Sequence, residues 1–499
     1  MARSTLALPW AKSPRATPLR IDSDKVVPMR FFDDTATLRT IVMAWMFRFE
    51  DVLDVDKLHS AVTELLNIPS WRQLGGRLRL NEHGKLEIHI PSHFTAARPG
   101  VRFSHDDFRT KIEHHPLASR LPKSKEGPSL QPGAMEFKTF GSRPGAPSTL
   151  EDYLYNDEPQ LAMHVTSFED ATLVSLAFPH TMSDAMGISA LMSAISLVLA
   201  GRTAEVPDLP DAADDVLQNV GTHDQAGPPE PYALAEQRIG GFGSIVFGLN
   251  FAWDMFWRPR VEVRTGFLPA AFVNGLRVEA EADLRDLADE EKPPFLSDGD
   301  ILTAWGCIMI LRSEVRLRPA IILNVLNVRG RLPSTTTATG MFIQNLTFNS
   351  NALLSASEVQ GVSLGLIAAK VRKALIQQTT EPQLQAIIRE SRAAYTATGT
   401  PPLYGPSNAG LIVVSNWDKA KLFEATDFRP AVVDAENTGQ ERDHEIGRPV
   451  YHHAHTLKEG RPTRNFWNII GKDLKGDYWF SGTLFPETWK LIEQAIRLG

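Results

Sequence analysis

The sequence predicts an α/β protein with two domains, each of which mixes strands with helices. Its 499 residues exceed the size of about 250–300 residues at which a single hydrophobic core stops growing. Strand-like and helix-like segments recur on both sides of a proline-rich, acidic stretch, Pro207 to Pro231. We therefore expect a lead-in at residues 1–20, a first domain at 21–206, a linker at 207–235 and a second domain at 236–499.

Hydrophobic periodicity predicts the elements of the first half. Strands are expected at residues 37–50, 76–80 and 86–90, with two more strands between 162 and 178, and helices at 55–66 and 183–199. The stretch 116–148 is dense in proline, glycine and charge, so we expect a loop there. The strand Thr172–Phe178 is apolar enough to be buried on both faces.

The second half repeats this mixture of elements. Helices are expected at residues 297–312 and 358–378 and from Pro486 onward, and strands at 321–328, 410–416, 449–455, 465–471 and 477–484. Ser297 is a suitable N-cap, and Pro486 suits the first position of a helix. Both halves thus have an α/β composition.

Charge and cysteine content narrow the class of protein. A net charge of −7 offers no general attraction to a nucleic-acid backbone, so we expect no nucleic-acid partner. The single cysteine, Cys307, excludes an internal disulfide and any Cys-x-x-Cys site. In its apolar helical context it predicts a small buried side chain. This cysteine usage is compatible with a reducing compartment, and we expect a cytoplasmic protein.

Two segments bear on membrane attachment. Residues 1–20 lack the apolar core of a signal peptide. The stretch Ile239 to Trp257 is rich in aromatic residues but contains Asp254 and four glycines. A spanning helix needs about 20 mostly uncharged residues. We therefore expect an aromatic helix or loop that packs on the body of the protein, without stable membrane insertion.

One segment has the pattern of a general base beside a helix start. His180 follows an apolar strand and Pro179, and Asp184 stands four residues later in the first turn of the next helix. An imidazole with a pKa near 6.5 suits a base, and a helix N-terminus favours an acid. By spacing alone, a hydrogen-bonded histidine and a helix-terminal acid remain the more common explanation.

In its context, this segment resembles the His-x-x-x-Asp-Gly element of the BAHD acyltransferases, and especially of their divergent fungal members. Ala185 stands where the glycine is usual. Further segments resemble family elements in the same order: Ser297–Trp305, Asn327–Pro333, Gly340–Asn345, Ser415–Trp417 and Asp427–Phe428. The last one is degraded, since Arg429 and Pro430 replace the expected Gly-Trp.

The resemblance implies two chloramphenicol-acetyltransferase-like domains with the active site at their interface. His180 would be the general base, and Asp184 would be structural, paired with Arg329 across the domains. Trp417, Ser415 and Asn416 would donate hydrogen bonds to the oxyanion, and Asn345 would support the site. By the residues alone, Arg329 could equally be a solvated turn residue and Trp417 a core aromatic.

The same resemblance implies the substrates. An acyl-CoA, in the first place acetyl-CoA, would be the co-substrate, with no bound cofactor and no metal. The acceptor would be a hydroxyl or amine of a small molecule, typically a secondary metabolite, and the enzyme would act as a monomer. Two alternatives stay open: a condensation-type transferase that uses a carrier-protein thioester, although Pro179 replaces the second histidine usual there, and an inactive binding protein of the same fold.

Two other patterns suggest different chemistry. Gly361-Val362-Ser363-Leu364-Gly365 matches the nucleophile elbow of serine hydrolases, but that motif needs a strand before it. His452, His453 and His455, with His444 nearby, could indicate a metal. Two imidazoles on one strand face without a third ligand make a poor site. We expect the histidines to form a polar strand edge or part of an acceptor pocket.

Overall fold

The computed structural model describes residues 15–222, 229–287, 295–336, 341–433, 443–458 and 463–498. Its strands are β1 (Lys25–Pro28), β2 (Val42–Phe49), β3 (Arg77–Leu80), β4 (Leu86–Ile90), β5 (Arg102–Asp107), β6 (Ser129–Pro132), β7 (Ala162–Ser167), β8 (Thr172–Pro179), β9 (Glu262–Leu268), β10 (Ala320–Asn327), β11 (Thr347–Leu354), β12 (Gly410–Asn416), β13 (Tyr451–Thr456), β14 (Phe466–Lys472) and β15 (Tyr478–Leu484). Its α-helices are α1 (Ala36–Arg39), α2 (Val55–Asn67), α3 (Leu150–Tyr155), α4 (Ala185–Leu199), α5 (Phe242–Trp257), α6 (Ala270–Leu287), α7 (Asp298–Arg312), α8 (Pro333–Thr336), α9 (Ala356–Gln360), α10 (Leu364–Gln378), α11 (Glu381–Thr398), α12 (Leu422–Ala425) and α13 (Pro486–Leu498).

Two large mixed sheets organise the described residues, which confirms the predicted α/β class. One has the strand order β13-β2-β8-β7-β5, and the other has the order β11-β10-β12-β14-β15-β9-β6. Helices α2 and α4 share an apolar core with the five-stranded sheet, while α6, α7 and α10 share one with the seven-stranded sheet. A smaller sheet of β1, β4 and β3 completes the first half.

Each large sheet contains one strand from the other half of the chain. Strand β6 pairs antiparallel with β9 at the edge of the seven-stranded sheet. Strand β13 pairs antiparallel with β2 at the edge of the five-stranded sheet. The two halves are therefore joined by backbone hydrogen bonds as well as by side chains.

Local capping explains where the main helices begin. Asp54 accepts hydrogen bonds from the main-chain nitrogens of Asp56 and Lys57, both at 3.0 Å, at the start of α2. Ser297 and Asp300 form a reciprocal capping box at the start of α7, which confirms the predicted N-cap. These side chains satisfy amide groups that have no partner within the helix.

Three sequence-based assignments need correction. The strand expected at residues 37–50 starts only at Val42, because Thr35 caps the short helix α1. The loop expected at 116–148 contains β6, which has backbone partners in the other half. The single helix expected at 358–378 is two helices, because α9 ends at Gly361 and Ser363 caps α10.

The aromatic stretch at 239–257 also differs from the expectation. It forms α5, yet none of the residues of this helix is buried, so it packs on the body less closely than predicted. Within the described ranges, no helix is both long and apolar enough to span a membrane.

A close helix–sheet contact gives a test of the core. A Cβ atom at Gly306 of α7 would lie 2.4 Å from the ring of Trp467 on β14. Gly306→Ala should therefore lower the free energy of unfolding by about 1–3 kcal/mol through overpacking. The matched control is Gly275→Ala in α6, where a Cβ atom would meet nothing within 4 Å. This control should stabilise the protein by about 0.5–1 kcal/mol. Chemical denaturation of both variants measures the difference, and equal effects would contradict this packing.

Candidate active site

The main chain of His180 is held from both sides at the end of β8. Its amide nitrogen donates to the carbonyl oxygen of Ile41 at 2.9 Å. Its carbonyl oxygen accepts from Nδ2 of Asn345, also at 2.9 Å. Ile41 directly precedes β2, whereas Asn345 belongs to the second half of the chain. The histidine therefore sits at a junction of the two halves, on a backbone that can move little.

Asp184 connects the start of α4 to the second half. Its Oδ1 atom accepts from the amide of Gly187 at 3.0 Å and thereby caps the helix. Its Oδ2 atom accepts from Nη1 of Arg329 at 2.9 Å and from the amide of Leu346 at 2.9 Å. Both side chains of the ion pair are largely buried. The carboxylate is thus fully engaged in structural contacts.

Arg329 forms hydrogen bonds with several other residues near this carboxylate. Its Nη1 atom also donates to Oδ1 of Asn327 at 3.0 Å, and its Nη2 atom donates to the carbonyl oxygens of Phe342 and Gln344 at 3.2 and 2.6 Å. The guanidinium group satisfies three partners besides Asp184, all from the second half. It therefore fixes the segment that carries Asn345. Gly340, the first residue of that family-like segment, lies outside the described residues.

Asn345 is in turn oriented by Asp33. Oδ1 of Asp33 accepts from the amide nitrogen and from Nδ2 of Asn345, each at 2.8 Å. Burial raises the pKa of Asp33 to about 7, although the charge of Arg30 and the bonds from Asn345 oppose this shift. Nη1 of Arg30 is 3.9 Å from Oδ2 of Asp33, which is too long for a hydrogen bond. The side-chain amide of Asn345, which binds the carbonyl oxygen of His180, is therefore oriented by a carboxyl group whose pKa lies near neutral pH.

Burial also lowers the pKa of the His180 imidazole below its ordinary value. The main chain of His180 itself, the charge of Asp184, the main chain of Ser183 and the side chain of Asn345 oppose this shift. The Nδ1 atom of His180 is buried and has no hydrogen-bond partner among the described residues. The lowered pKa favours the neutral form of the ring.

The remaining site residues expected from the sequence lie apart from this network. Trp417 packs against Trp45 on β2, with ring centroids 4.6 Å apart, and it is only partly buried. Ser415 pairs with Asn468 in the seven-stranded sheet, and Oδ1 of Asn416 accepts from the amide of Asp418 at 2.9 Å. Across the described ranges, no hydrogen bond joins Trp417, Ser415 or Asn416 to His180.

The histidines of β13 lie on an edge strand of the five-stranded sheet, and their side chains are buried. His452, His453 and His455 have at most 4% of their surface exposed. Burial lowers the pKa of His452 to about 3 and that of His455 to about 4, so both stay neutral. In the part of the chain that the structure describes, no group of three or more His, Cys, Asp or Glu residues could hold a metal ion.

The serine of the hydrolase-like motif caps a helix, and the single cysteine is buried. Ser363 is the N-cap of α10 and accepts from the amide of Leu366 at 3.4 Å. The element before it is α9 rather than the strand that a nucleophile elbow requires. Cys307 is buried in α7, as predicted, and burial raises the pKa of its thiol.

Sequence reasoning missed Asp33, Ile41 and Asn327, which support the site. Ile41 acts through a main-chain oxygen, so its residue type carries no signal. Asp33 lies in an acidic pair before α1, where the sequence shows no motif. Asn327 was noticed only as part of the arginine segment. A polar residue at the end of an apolar strand, such as Asn327 on β10, is the one signal that could have found it.

This chain shares much of its sequence with fungal acetyltransferases. Acetyltransferase BOT5 of Botryotinia fuckeliana is 37% identical over 493 residues, which are 95% of this chain and 90% of that protein. O-acetyltransferase PaAT-2 of Phomopsis amygdali is 36% identical and covers 95% of this chain and 98% of its own. A relative with 33% identity over 98% of both chains, calD of Penicillium decumbens, is named a transcriptional regulator. No model of a protein family matches the chain.

The fold is shared with solved structures at low sequence identity. TRI101 of F. sporotrichioides, solved with coenzyme A and T-2, superimposes with a TM-score of 0.62. The two are 15% identical, and the match covers 94% of this chain and 97% of TRI101. Shared sequence with acetyltransferases over nearly the full length, together with this fold, defines an acyltransferase. The chain belongs to the BAHD-type acyltransferase family, as a divergent fungal member.

Replacing Asp184 tests its structural role. Asp184→Asn should lower the free energy of unfolding by about 3–5 kcal/mol, because Arg329 would be left buried without its anion. Chemical denaturation measures the change, and any activity should fall together with stability. Glu205→Gln is the control, since Glu205 pairs with Arg202 at the surface and its loss should change little. A variant at position 184 with normal stability and an ordered loop but no activity would assign Asp184 a chemical role instead.

The titration of Asp33 predicts a pH-dependent stability. Between its ordinary pKa of 3.8 and its folded value of about 7, the folded protein holds a proton that the unfolded chain has released. This contribution to stability is fully present below pH 3.8 and is lost as the pH rises through about 7.

Asp33→Asn should flatten this dependence, because the amide keeps an oxygen acceptor for Asn345 and does not titrate. The difference in slope should approach about 1.4 kcal/mol per pH unit at most. Urea denaturation at a series of pH values measures the slopes, and Gly275→Ala, which changes no titratable group, should keep the wild-type slope. The same slope for wild type and Asp33→Asn would refute the assignment.

Proposed function

We propose that this chain transfers an acetyl group from acetyl-CoA to a hydroxyl or amine of a small secondary metabolite, with His180 as general base. The observation that carries the proposal is the position of His180, fixed through its main chain between Ile41 and Asn345. The names of BOT5 and PaAT-2 support acetyl transfer, and that of PaAT-2 favours a hydroxyl acceptor. TRI101 supports CoA as the acyl carrier, because its structure was solved with coenzyme A and T-2.

In the proposed reaction, Nε2 of His180 takes the proton of the acceptor while the acceptor oxygen or nitrogen attacks the thioester carbonyl. Nε2 is favoured because Nδ1 is buried. A tetrahedral oxyanion forms and then collapses, which breaks the carbon–sulfur bond. The imidazolium returns its proton to the leaving thiolate, so the products are the acetylated acceptor and free CoA. A positioned base of this kind contributes about 10²–10⁴-fold to the rate.

The environment of His180 supports this role. A base must be neutral before it reacts, and burial lowers the pKa of the ring, which favours its unprotonated form. Asp184 is committed to Arg329, Leu346 and Gly187. We therefore assign it to holding the loop rather than to relaying the proton.

We propose that the oxyanion is stabilised from the second half of the chain. Trp417 offers an indole N–H and packs on β2, the strand next to β8. Ser415 and Asn416 lie on β12 just before it. The loss of one such donor would cost about 10²–10³ in rate. We further propose that the enzyme works as a cytoplasmic monomer, in line with its single cysteine.

A second candidate function follows from one observation. Because calD is named a transcriptional regulator, a protein of this family could bind a ligand without turnover. Such a protein would bind acyl-CoA or acceptor and release both unchanged. A transferase fed by a carrier-protein thioester would instead require the loaded carrier as donor.

The deciding experiment incubates wild type and His180→Ala with acetyl-CoA and a panel of hydroxylated secondary metabolites. Mass spectrometry of the free product and release of CoA are the measurements. Wild type should turn over, and His180→Ala should be slower by about 10²–10⁴-fold. Ser363→Ala and the exposed-histidine variant His83→Ala should keep the wild-type rate.

Other results would lead to other conclusions. Turnover by His180→Ala at the wild-type rate would refute the mechanism, and loss of activity only in Ser363→Ala would favour a hydrolase. Binding of acetyl-CoA by wild type without any product across the panel would favour the ligand-binding protein. Activity only with an acyl-loaded carrier protein would favour the condensation-type reaction.

A further inference from the structure

Helix α5 exposes large apolar side chains to solvent, which an ordinary surface helix does not do. Its outer stripe consists of large apolar side chains that recur at helical spacing, namely Phe242, Ile245, Leu249, Trp253, Phe256 and Trp257. Phe242 is 78% exposed and Phe256 is 76% exposed. A surface helix normally turns its apolar stripe toward the core and its polar side toward water.

The side of α5 that faces the body carries Asn250 and Asp254 beside apolar residues such as Val246. Asp254 accepts hydrogen bonds from Arg316 and Arg318, each at 2.6 Å. Asn250 on the same side donates to the carbonyl oxygen of Val246 at 3.0 Å. These ion pairs fix which side of the helix points outward, so the exposed stripe is a property of the docked helix rather than of a loose segment.

The segment that binds Asp254 carries two further exposed apolar side chains. Val315 is 83% exposed and Leu317 is 57% exposed, and they alternate with the two arginines that bind Asp254. We call the outer stripe of α5 together with Val315 and Leu317 the apolar ridge. Contiguous exposed apolar surface of this kind marks an interaction site.

Cationic side chains surround the base of this ridge. The arginines in this region are Arg258, Arg260, Arg316, Arg318 and Arg464. The acidic residues that form ion pairs with some of them are Asp254, Glu314 and Glu487. Arg464 also lies over the ring of Phe251, 5.9 Å from its centroid. The surroundings of the ridge are therefore locally positive, although the whole chain carries a net charge of −7.

We propose that the apolar ridge binds the surface of an anionic lipid membrane, with α5 lying in the plane of the interface. Helices that bind this way combine Trp, Phe and Leu on one side with nearby basic residues. Tryptophan rings favour the boundary between headgroups and acyl chains, and basic groups near the surface are attracted to acidic headgroups.

The shape of the ridge favours a membrane over other occupants. With 16 residues, α5 is about 24 Å long, shorter than the hydrocarbon core of about 30 Å that a spanning helix must cross. The side chains of the stripe are 54–78% exposed, and a fluid lipid layer can cover them without a matching groove. Its flank carries excess arginine, which would repel the same flank of a second copy.

The test measures co-flotation of the full-length protein with vesicles. One preparation contains phosphatidylcholine alone, and the other contains phosphatidylcholine with phosphatidylserine. The variant Trp253→Ser/Phe256→Ser/Trp257→Ser removes half of the stripe and leaves Asp254 in place. The control Val278→Ser/Ile376→Ser removes exposed apolar side chains from α6 and α10 instead. Thermal unfolding verifies that all proteins are folded.

Wild type and control should float with the phosphatidylserine vesicles, and the triple variant should bind at least about tenfold more weakly, since each buried aromatic ring contributes substantially. Added salt and Arg260→Gln should weaken wild-type binding. Wild type that stays unbound, or a triple variant that binds equally well, would overturn the proposal. A dimer in light scattering that only the triple variant dissociates, without vesicle binding, would assign the ridge to a second copy. No acyl transfer is measured, so the outcome is independent of the proposed activity.

Discussion

The ion pair between Asp184 and Arg329 is the contact on which the arrangement of the site depends. One carboxylate oxygen caps α4, and the other binds Arg329 and the amide of Leu346. The helix that follows the His180 loop and the segment that leads into β11 are therefore fixed to the same group. A buried ion pair adds little net stability compared with an apolar contact. Its main effect here is on position, because it fixes the start of α4, in the first half of the chain, against the second half.

His180 is held through its main chain. Ile41 and Asn345 form hydrogen bonds with its amide and carbonyl groups, so the backbone at this position is fixed. Asp33 orients Asn345 and precedes β2 in the chain. Strand β2 lies next to β8, the strand that leads into His180. The loop thus depends on residues that are distant in sequence and contribute polar atoms rather than bulk.

The sequence predicted those features that local chemistry determines. Periodic strands such as β8 and helices such as α2 were found, because each presents one regular apolar pattern. The role of Asp184 at a helix start could be deduced from the residues, whereas its pairing with Arg329 came from the resemblance. Asp33 and Ile41 escaped notice, because a hydrogen bond to a main-chain atom imposes no pattern on the sequence.

Elements defined by distant partners were also missed. Strand β6 has four residues, two of them polar and one a proline, so only its pairing with β9 makes it a strand. The composition of residues 239–257 indicated an aromatic helix or loop but not which of its side chains would face the protein. That orientation is set by Arg316 and Arg318, which follow more than 60 residues later in the chain.

The exchange of β6 and β13 between the sheets has a consequence for biosynthesis. The edge of β2 stays without its partner until residues 451–456 leave the ribosome, when most of the chain has already been made. An apolar strand with a free edge is a template for wrong pairing, and such long-range pairing forms slowly. The N-terminal half would therefore emerge as an incomplete intermediate that needs protection from aggregation, and the two halves would reach their native state together rather than one after the other.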